Sequence, residues 1–155
     1  MNSRSQDLDE AASPPRDQAA QRLARGTARM LRQYGDVSLA EFTLSSGRRV
    51  DVIGIDAKGR VTIVEIKSGL EDYRTDTKWE SYLDFCDFFY FAVATDFPME
   101  ILPQEVGLIA ADAYGAEILR PSPAFQLNGA RRRKLLLQFA QVAARRLHSL
   151  TDASE

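Results

Sequence analysis

The sequence predicts an α/β fold: a mixed β-sheet, an antiparallel meander followed by a parallel crossover strand, flanked by helices. Three observations predict it. Residues 37–66 hold three short runs of strand-forming residues separated by turns that end in Gly. A helical segment around Trp79 then leads to the nearly continuous apolar run 88–94, the pattern of a parallel strand reached by a right-handed crossover. Helical periodicity marks both ends, over 16–34 and over about 20 residues from Asn128.

At 155 residues the chain fits one domain, able to bury roughly two-thirds of its unfolded surface. Its composition, 45% hydrophobic and 27% charged, is ordinary for a soluble protein. No apolar run approaches the roughly 20 residues of a membrane helix, and the polar start lacks the apolar segment of a secretory signal. A cytoplasmic location and no membrane partner are therefore expected. Residues 1–15, ending in Ser13-Pro14-Pro15, are expected to form a disordered tail, with the folded domain over 16–150 and a short tail over 151–155. One cysteine, Cys86, and one histidine, His148, allow neither an internal disulfide nor a Cys/His zinc site, so any metal has oxygen ligands. The net charge of -2 is unevenly spread: seven Lys or Arg and no acid lie between Arg120 and Leu150, leaving 13 basic against 22 acidic residues elsewhere.

In the first helix Ala20, Leu23, Ala24, Thr27, Leu31 and Tyr34 recur at three and four; Gly35 ends it and Gly26 weakens it. Residues 37–44 alternate as a strand, and Ser45-Ser46-Gly47 follows. A three-residue hairpin loop places a left-handed residue last, so Gly47 predicts that Leu44 pairs with Arg48 and Glu41 with Asp51. Ala57-Lys58-Gly59 predicts in the same way that Asp56 pairs with Arg60 and Asp51 with Glu65. Glu41, Asp51 and Glu65 would then stand in a row on one sheet face, joined by Lys67 two residues beyond Glu65. Three carboxylates abreast with one lysine repel or take up protons unless a cation neutralises them, and a hard divalent ion meets that need. The competing reading is a cross-strand salt-bridge cluster.

Beyond the third strand, Trp79, Tyr82, Leu83 and Cys86 fall at helical spacing, where the rings read as core and the thiol as packed. Asp72, Arg74, Asp76 and Lys78 precede them, able to touch a phosphate or to start a solvated helix with Asp76 as its cap. Residues 107–111 and 116–119 read as two further strands about a turn at Tyr114-Gly115. The last helix carries an apolar stripe of Leu135, Leu136, Phe139, Ala140, Ala143, Leu147 and Leu150. Arg131, Arg132, Arg133 and Lys134 crowd its first turn and oppose the helix dipole, which a phosphate backbone would offset; the competing reading is a solvated, snorkelling face.

Asp followed by Glu-x-Lys on an adjacent strand resembles the PD-(D/E)xK nuclease superfamily, with its restriction-endonuclease-like fold. More closely, Gly47-Arg-Arg-Val-Asp51, Val64-Glu-Ile-Lys-Ser68, Asp76-Thr-Lys-Trp79, Tyr82, Cys86-Asp87, Phe97-Pro98, Leu102-Pro103 and Gly107-Leu-Ile109 resemble the MmcB family of DNA-repair endonucleases. Val50 stands where the superfamily's name-giving proline would be, at a position that packs and does not coordinate. The resemblance implies a metal-dependent DNA endonuclease in which Asp51, Glu65 and the main-chain carbonyl of Ile66 hold Mg²⁺ or Mn²⁺. Glu41 would add a ligand or support one. Lys67, an ammonium among carboxylates, would orient the attacking water or stabilise developing charge rather than act as general base. Arg131, Arg132, Arg133, Lys134, Arg74 and Lys78 would contact DNA. Other repair proteins are implied as partners, and the long final helix offers an interface for a homodimer. The alternative is a catalytically inactive DNA-binding or partner-binding module with the same fold.

Overall fold

A computed structural model describes residues 15–76 and 78–153. The expected N-terminal tail and the last two residues lie outside them, except that Pro15 already opens the first helix. The elements are α1 (Pro15–Gln33), β1 (Val37–Thr43), β2 (Arg49–Ile55), β3 (Val61–Lys67), α2 (Leu70–Thr75), a 3-10 segment (Trp79–Phe85), β4 (Phe88–Val93), a short 3-10 turn (Met99–Ile101), β5 (Gly107–Ala111), β6 (Ala116–Arg120) and α3 (Gly129–Asp152). They build a mixed α/β fold around one six-stranded sheet in the order β1-β2-β3-β4-β5-β6. β1, β2 and β3 form an antiparallel meander, β4 and β5 join parallel, and β6 returns antiparallel.

Both faces of the sheet are covered, as the apolar residues on either side of each strand require. Leu23, Met30 and Leu31 of α1 pack on Val52, Val64, Ile66, Tyr90 and Ile109. On the opposite face Phe42, Val50, Ile53, Ile63, Phe89 and Phe91 meet Leu135 of α3 and the rings of the 3-10 segment. Trp79 lies 5.8 Å from Phe89 and 5.4 Å from Phe91 between ring centroids, so the aromatic spacing does serve the core. The segment is 3-10 rather than α, and Trp79 and Tyr82, three apart, fall on one side of its three-residue turn. Cys86 is fully buried beneath it, its thiol held well above the usual range by burial and then by Asp87.

The two glycine-ended turns form as expected. Leu44 N donates to Arg48 O at 2.7 Å and Asp56 N to Arg60 O at 3.1 Å, with Gly47 at φ +89 and Gly59 at φ +79. Register follows them, with Phe42 opposite Val50 and Ile55 opposite Val61. Yet the alternation slips near the middle of the first hairpin. Val50 and Phe42 face the α3 side, whereas Val52 faces α1. The slip coincides with Glu41, whose φ of +51 is left-handed, a conformation that costs a non-glycine residue roughly 1–2 kcal/mol. Arg146 of α3 holds it there, donating to Ala40 O at 2.6 Å and Glu41 O at 2.8 Å. The apolar stripe of α3 is correspondingly shorter than expected: Leu135 is buried and Phe139 packs on the core, but Leu147 and Leu150 are 61% and 70% exposed.

Candidate metal centre

β3 is buried along its whole length, including two charged residues, Glu65 and Lys67, which are 6% and 5% exposed. A central strand has no water to solvate such groups, so partners must come from its neighbours. The β2–β3 ladder ends at Val52 opposite Val64. Beyond it Asp51 and Glu65 exchange bonds of another kind: Asp51 N donates to Glu65 Oε1 at 3.1 Å, and Ile66 N donates to Asp51 Oδ2 at 2.8 Å. Each carboxylate is pinned by one main-chain amide. Among the described residues no hydrogen bond engages Asp51 Oδ1 or Glu65 Oε2.

Lys67 does not sit between them. Its Nζ donates to Asp76 Oδ2 at 2.7 Å, while Asp76 Oδ1 accepts from Lys78 N at 2.9 Å. Burial pushes the Glu65 carboxyl up to about 9, reinforced by the facing Asp51, and Asp51 is raised chiefly by burial against the pull of the Ile66 amide. Burial also works on Asp76, but the Lys67 ammonium and the Lys78 and Trp79 amides outweigh it, and its carboxyl stays ionised below the usual range. Without a cation, the Asp51–Glu65 pair therefore retains a proton near neutral pH. Tyr82 adds a phenol at the margin, its hydroxyl donating to Arg49 O at 3.4 Å and pushed up to about 12 by burial and then by Glu65, Asp76 and Asp51.

The predicted row of three carboxylates is not complete. Glu41 falls out of the ladder at its left-handed φ, is exposed, and is not among the charges that act on Asp51 or Glu65. It borders, with Asp51, Arg49 and Ile66, a cleft of about 670 Å³ opened by the small side chains Ala20, Ala24 and Ala28 of α1. Acids that do act on the pair come from α2 and the residue after it, Asp72 on Asp51 and Asp76 on Glu65. Among the described residues no three acids converge as a ready-made cage. The donor set is thus two carboxylates beside a cleft. That suits Mg²⁺, which is bound through one or two carboxylates and completes its octahedron with water and substrate phosphate, better than Ca²⁺, which needs more protein oxygens.

The expected DNA contacts divide. Arg74 and Lys78 are exposed beside the acids. Arg132 is committed to the fold: its guanidinium grips Asp87 at 2.6 and 2.7 Å and donates to Gly59 O at 3.0 Å. Arg131 lies 4.6 Å over the Phe85 ring and donates to Asp84 O. These contacts, with Asn128 capping α3 by accepting from Ala130 N and Arg131 N, explain why cations are tolerated in its first turn. Arg133 and Lys134 remain exposed. Arg132 sits at the start of β3, about 20 Å from its Lys67 end at roughly 3.3 Å per residue, whereas Arg131 and Lys134 line a groove with Leu44 and Ser45 at the β1–β2 turn. A basic row nearer the site, Arg22, Arg25 and Arg29 on α1, escaped a reading that followed only the helix's apolar positions; their own spacing of three and four was the available signal.

The profile of the DNA repair protein MmcB-like family matches residues 9–154. The chain belongs to that family. Membership ties it to DNA repair. No curated protein matches the sequence. Among solved structures, the chain is similar to the SPO1766 protein of Silicibacter pomeroyi, a protein of unknown function, with 49% identity and a TM-score of 0.85 over 88% of this chain and 93% of that one. No helix among the described residues of this family member is long and apolar enough to cross a membrane.

Proposed function

We propose that this MmcB-like protein is a metal-dependent DNA endonuclease of the restriction-endonuclease-like, PD-(D/E)xK type, acting in DNA repair. The observation that carries the reading is the buried Asp51–Glu65 pair, held by main-chain amides with one oxygen of each left open and no cation between them. Asp51, Glu65 and the main-chain carbonyl of Ile66 would hold Mg²⁺ or Mn²⁺. The ion would supply Lewis-acid polarisation of a phosphate and a lowered pKa for a bound water. Within the chain, the Ile66 and Asp51 amides fix the two carboxylates before any ligand arrives, so no reorganisation is needed at the moment of binding. Asp76 holds the Lys67 side chain in an ion pair at the end of β3, where it can meet the negative charge of an attacked phosphate. Glu41, on the rim of the same cleft, supports the site at a distance rather than as a ligand.

The second reading, a DNA-binding or partner-binding module without catalysis, is favoured by one observation: the Lys67 ammonium bonds to Asp76 and reaches the Asp51–Glu65 pair only through its charge. Incubation of plasmid, single-stranded, flapped and branched DNA with Mg²⁺ or Mn²⁺ separates the two. The nuclease reading expects cleavage of at least one substrate by the wild type and its loss in Lys67→Ala. Equal cleavage by both proteins identifies a contaminant, and binding without cleavage throughout identifies the module.

A further inference from the structure

A second cleft, of about 1170 Å³, runs between α1 and the C-terminal ends of β4 and β5. One wall is the stripe of Arg22, Arg25 and Arg29, all exposed. Arg29 Nη1 donates to Tyr114 O at 3.3 Å, whereas among the described residues Arg22 and Arg25 make no hydrogen bond or ion pair. The floor is small, with Ala94, Ala110, Ala111 and Ala116. Tyr114, at the turn between β5 and β6, stands on the far side and is 79% exposed. Gly26 allows this arrangement: a Cβ there would lie 1.9 Å from Asp112 O and 2.5 Å from Gly115 O, so only glycine lets α1 close on the turn. Two acids share the cleft. Asp112 Oδ1 is taken by the Tyr114 and Gly115 amides at 2.8 and 3.0 Å, and Glu117 is exposed on the outermost strand.

Two links join this cleft to the carboxylate site. Arg25 borders both the arginine cleft and the one that holds Asp51. Ser68, next after Lys67, lines the arginine cleft with a buried hydroxyl that has no partner. Guanidinium forks match phosphate oxygens, and Arg22 and Arg25 are paired with neither acid of the cleft. An exposed ring beside them offers a face to a base, but only an unpaired base has a free face to return. Cationic groove and aromatic platform together are the signature of single-strand binding without sequence preference.

We propose that this cleft holds a single-stranded stretch of DNA, Arg22 and Arg25 on its phosphates and Tyr114 stacked on a base, and leads the strand past Arg25 to the Asp51–Glu65 pair. The delivery rests on the nuclease reading; the binding does not. Fluorescence anisotropy in EDTA, with an oligothymidylate and a duplex of equal length, tests it without cleavage. The wild type should bind the single strand more tightly than the duplex. Arg22→Gln/Arg25→Gln should weaken single-strand binding at least about tenfold and lower the salt slope by about 1.4, two phosphates at roughly 0.7 each. Tyr114→Ala should weaken it at least about fivefold, the lower end of one stacked base, and Tyr114→Trp should restore it. All of these side chains are exposed, so unchanged melting temperatures certify the fold. Preference for duplex, or a double arginine variant that binds like the wild type with the same salt slope, overturns the proposal. If these affinity losses appear while no substrate is ever cleaved, the cleft stands and the nuclease reading falls; if cleavage persists with affinities unmoved, the cleft alone falls.

Discussion

At the start of β3 the Asp87 carboxylate accepts from Val61 N at 2.7 Å and from both terminal nitrogens of Arg132 at 2.6 and 2.7 Å; at its end Asp51 and Glu65 face each other with main-chain amides alone. Burial acts on both. At Asp87 the guanidinium outweighs it and the carboxyl stays below its usual range, whereas at Glu65 nothing does and the carboxyl rises to about 9. The first end is a closed ion pair that fastens α3 to the sheet. The second keeps a surplus of negative charge, although Lys67 lies two residues away, because Asp76 holds that lysine. A buried acid pair left without its cation costs stability, and under the proposed reading an ion from outside the chain replaces the retained proton and offsets that cost.

The comparison breaks most visibly in activity. Asp51→Asn or Glu65→Gln should lower metal-dependent cleavage by about 10²–10³-fold, the usual loss when one electrostatic element of a site is removed. Arg132→Ala should leave cleavage per folded molecule unchanged, read in single-turnover assays below its melting temperature. In stability the order reverses. Arg132→Ala strands Asp87 and should cost about 3 kcal/mol in urea unfolding, near the lower bound for breaking a buried pair because the arginine is partly exposed. Glu65→Gln should instead stabilise the metal-free protein.

The two ends should also carry opposite pH signatures. Glu65 holds a proton in the folded state that the unfolded chain releases, so its contribution to stability falls as pH rises from about 4.5 to about 9. Melting of the metal-free wild type should decline across that window relative to Glu65→Gln, by no more than about 1.4 kcal/mol per pH unit. Asp87 is depressed, so its contribution is complete above about 3.8 and is lost as pH falls through its folded value; of the two ends, the acid limb should flatten with Asp87→Asn and not with Glu65→Gln. The smallest effect belongs to Arg131→Ala, which removes the stacking over Phe85 and should cost about 0.5–1 kcal/mol by denaturant midpoint.

Much of the frame was legible in residue order, because it depends on neighbours. Gly47 and Gly59 set two hairpin turns, and the apolar run after the 3-10 segment gave the parallel crossover. Asp51 and Glu65 could be paired from those turns alone. Glu41 could not be placed, because its left-handed backbone is held by Arg146, which comes 105 positions later. Arg132 and Asp87 are 45 apart, and nothing local distinguishes a cation that closes an ion pair from one that waits for phosphate. Gly26 reads as a weak point in a helix until the turn at Asp112 is seen pressed against it.

Titration calorimetry with Mn²⁺ and Mg²⁺, on wild type, Asp51→Asn, Glu65→Gln and Arg132→Ala in buffers of different ionisation enthalpy, tests the central claim most directly. The wild type and Arg132→Ala should bind an ion and release protons near neutral pH, since ligand carboxylates must ionise. Asp51→Asn and Glu65→Gln should lose that binding together with its proton release. Binding of equal strength in all four proteins, or no binding with the site intact, would contradict the assignment of this acid pair to a metal.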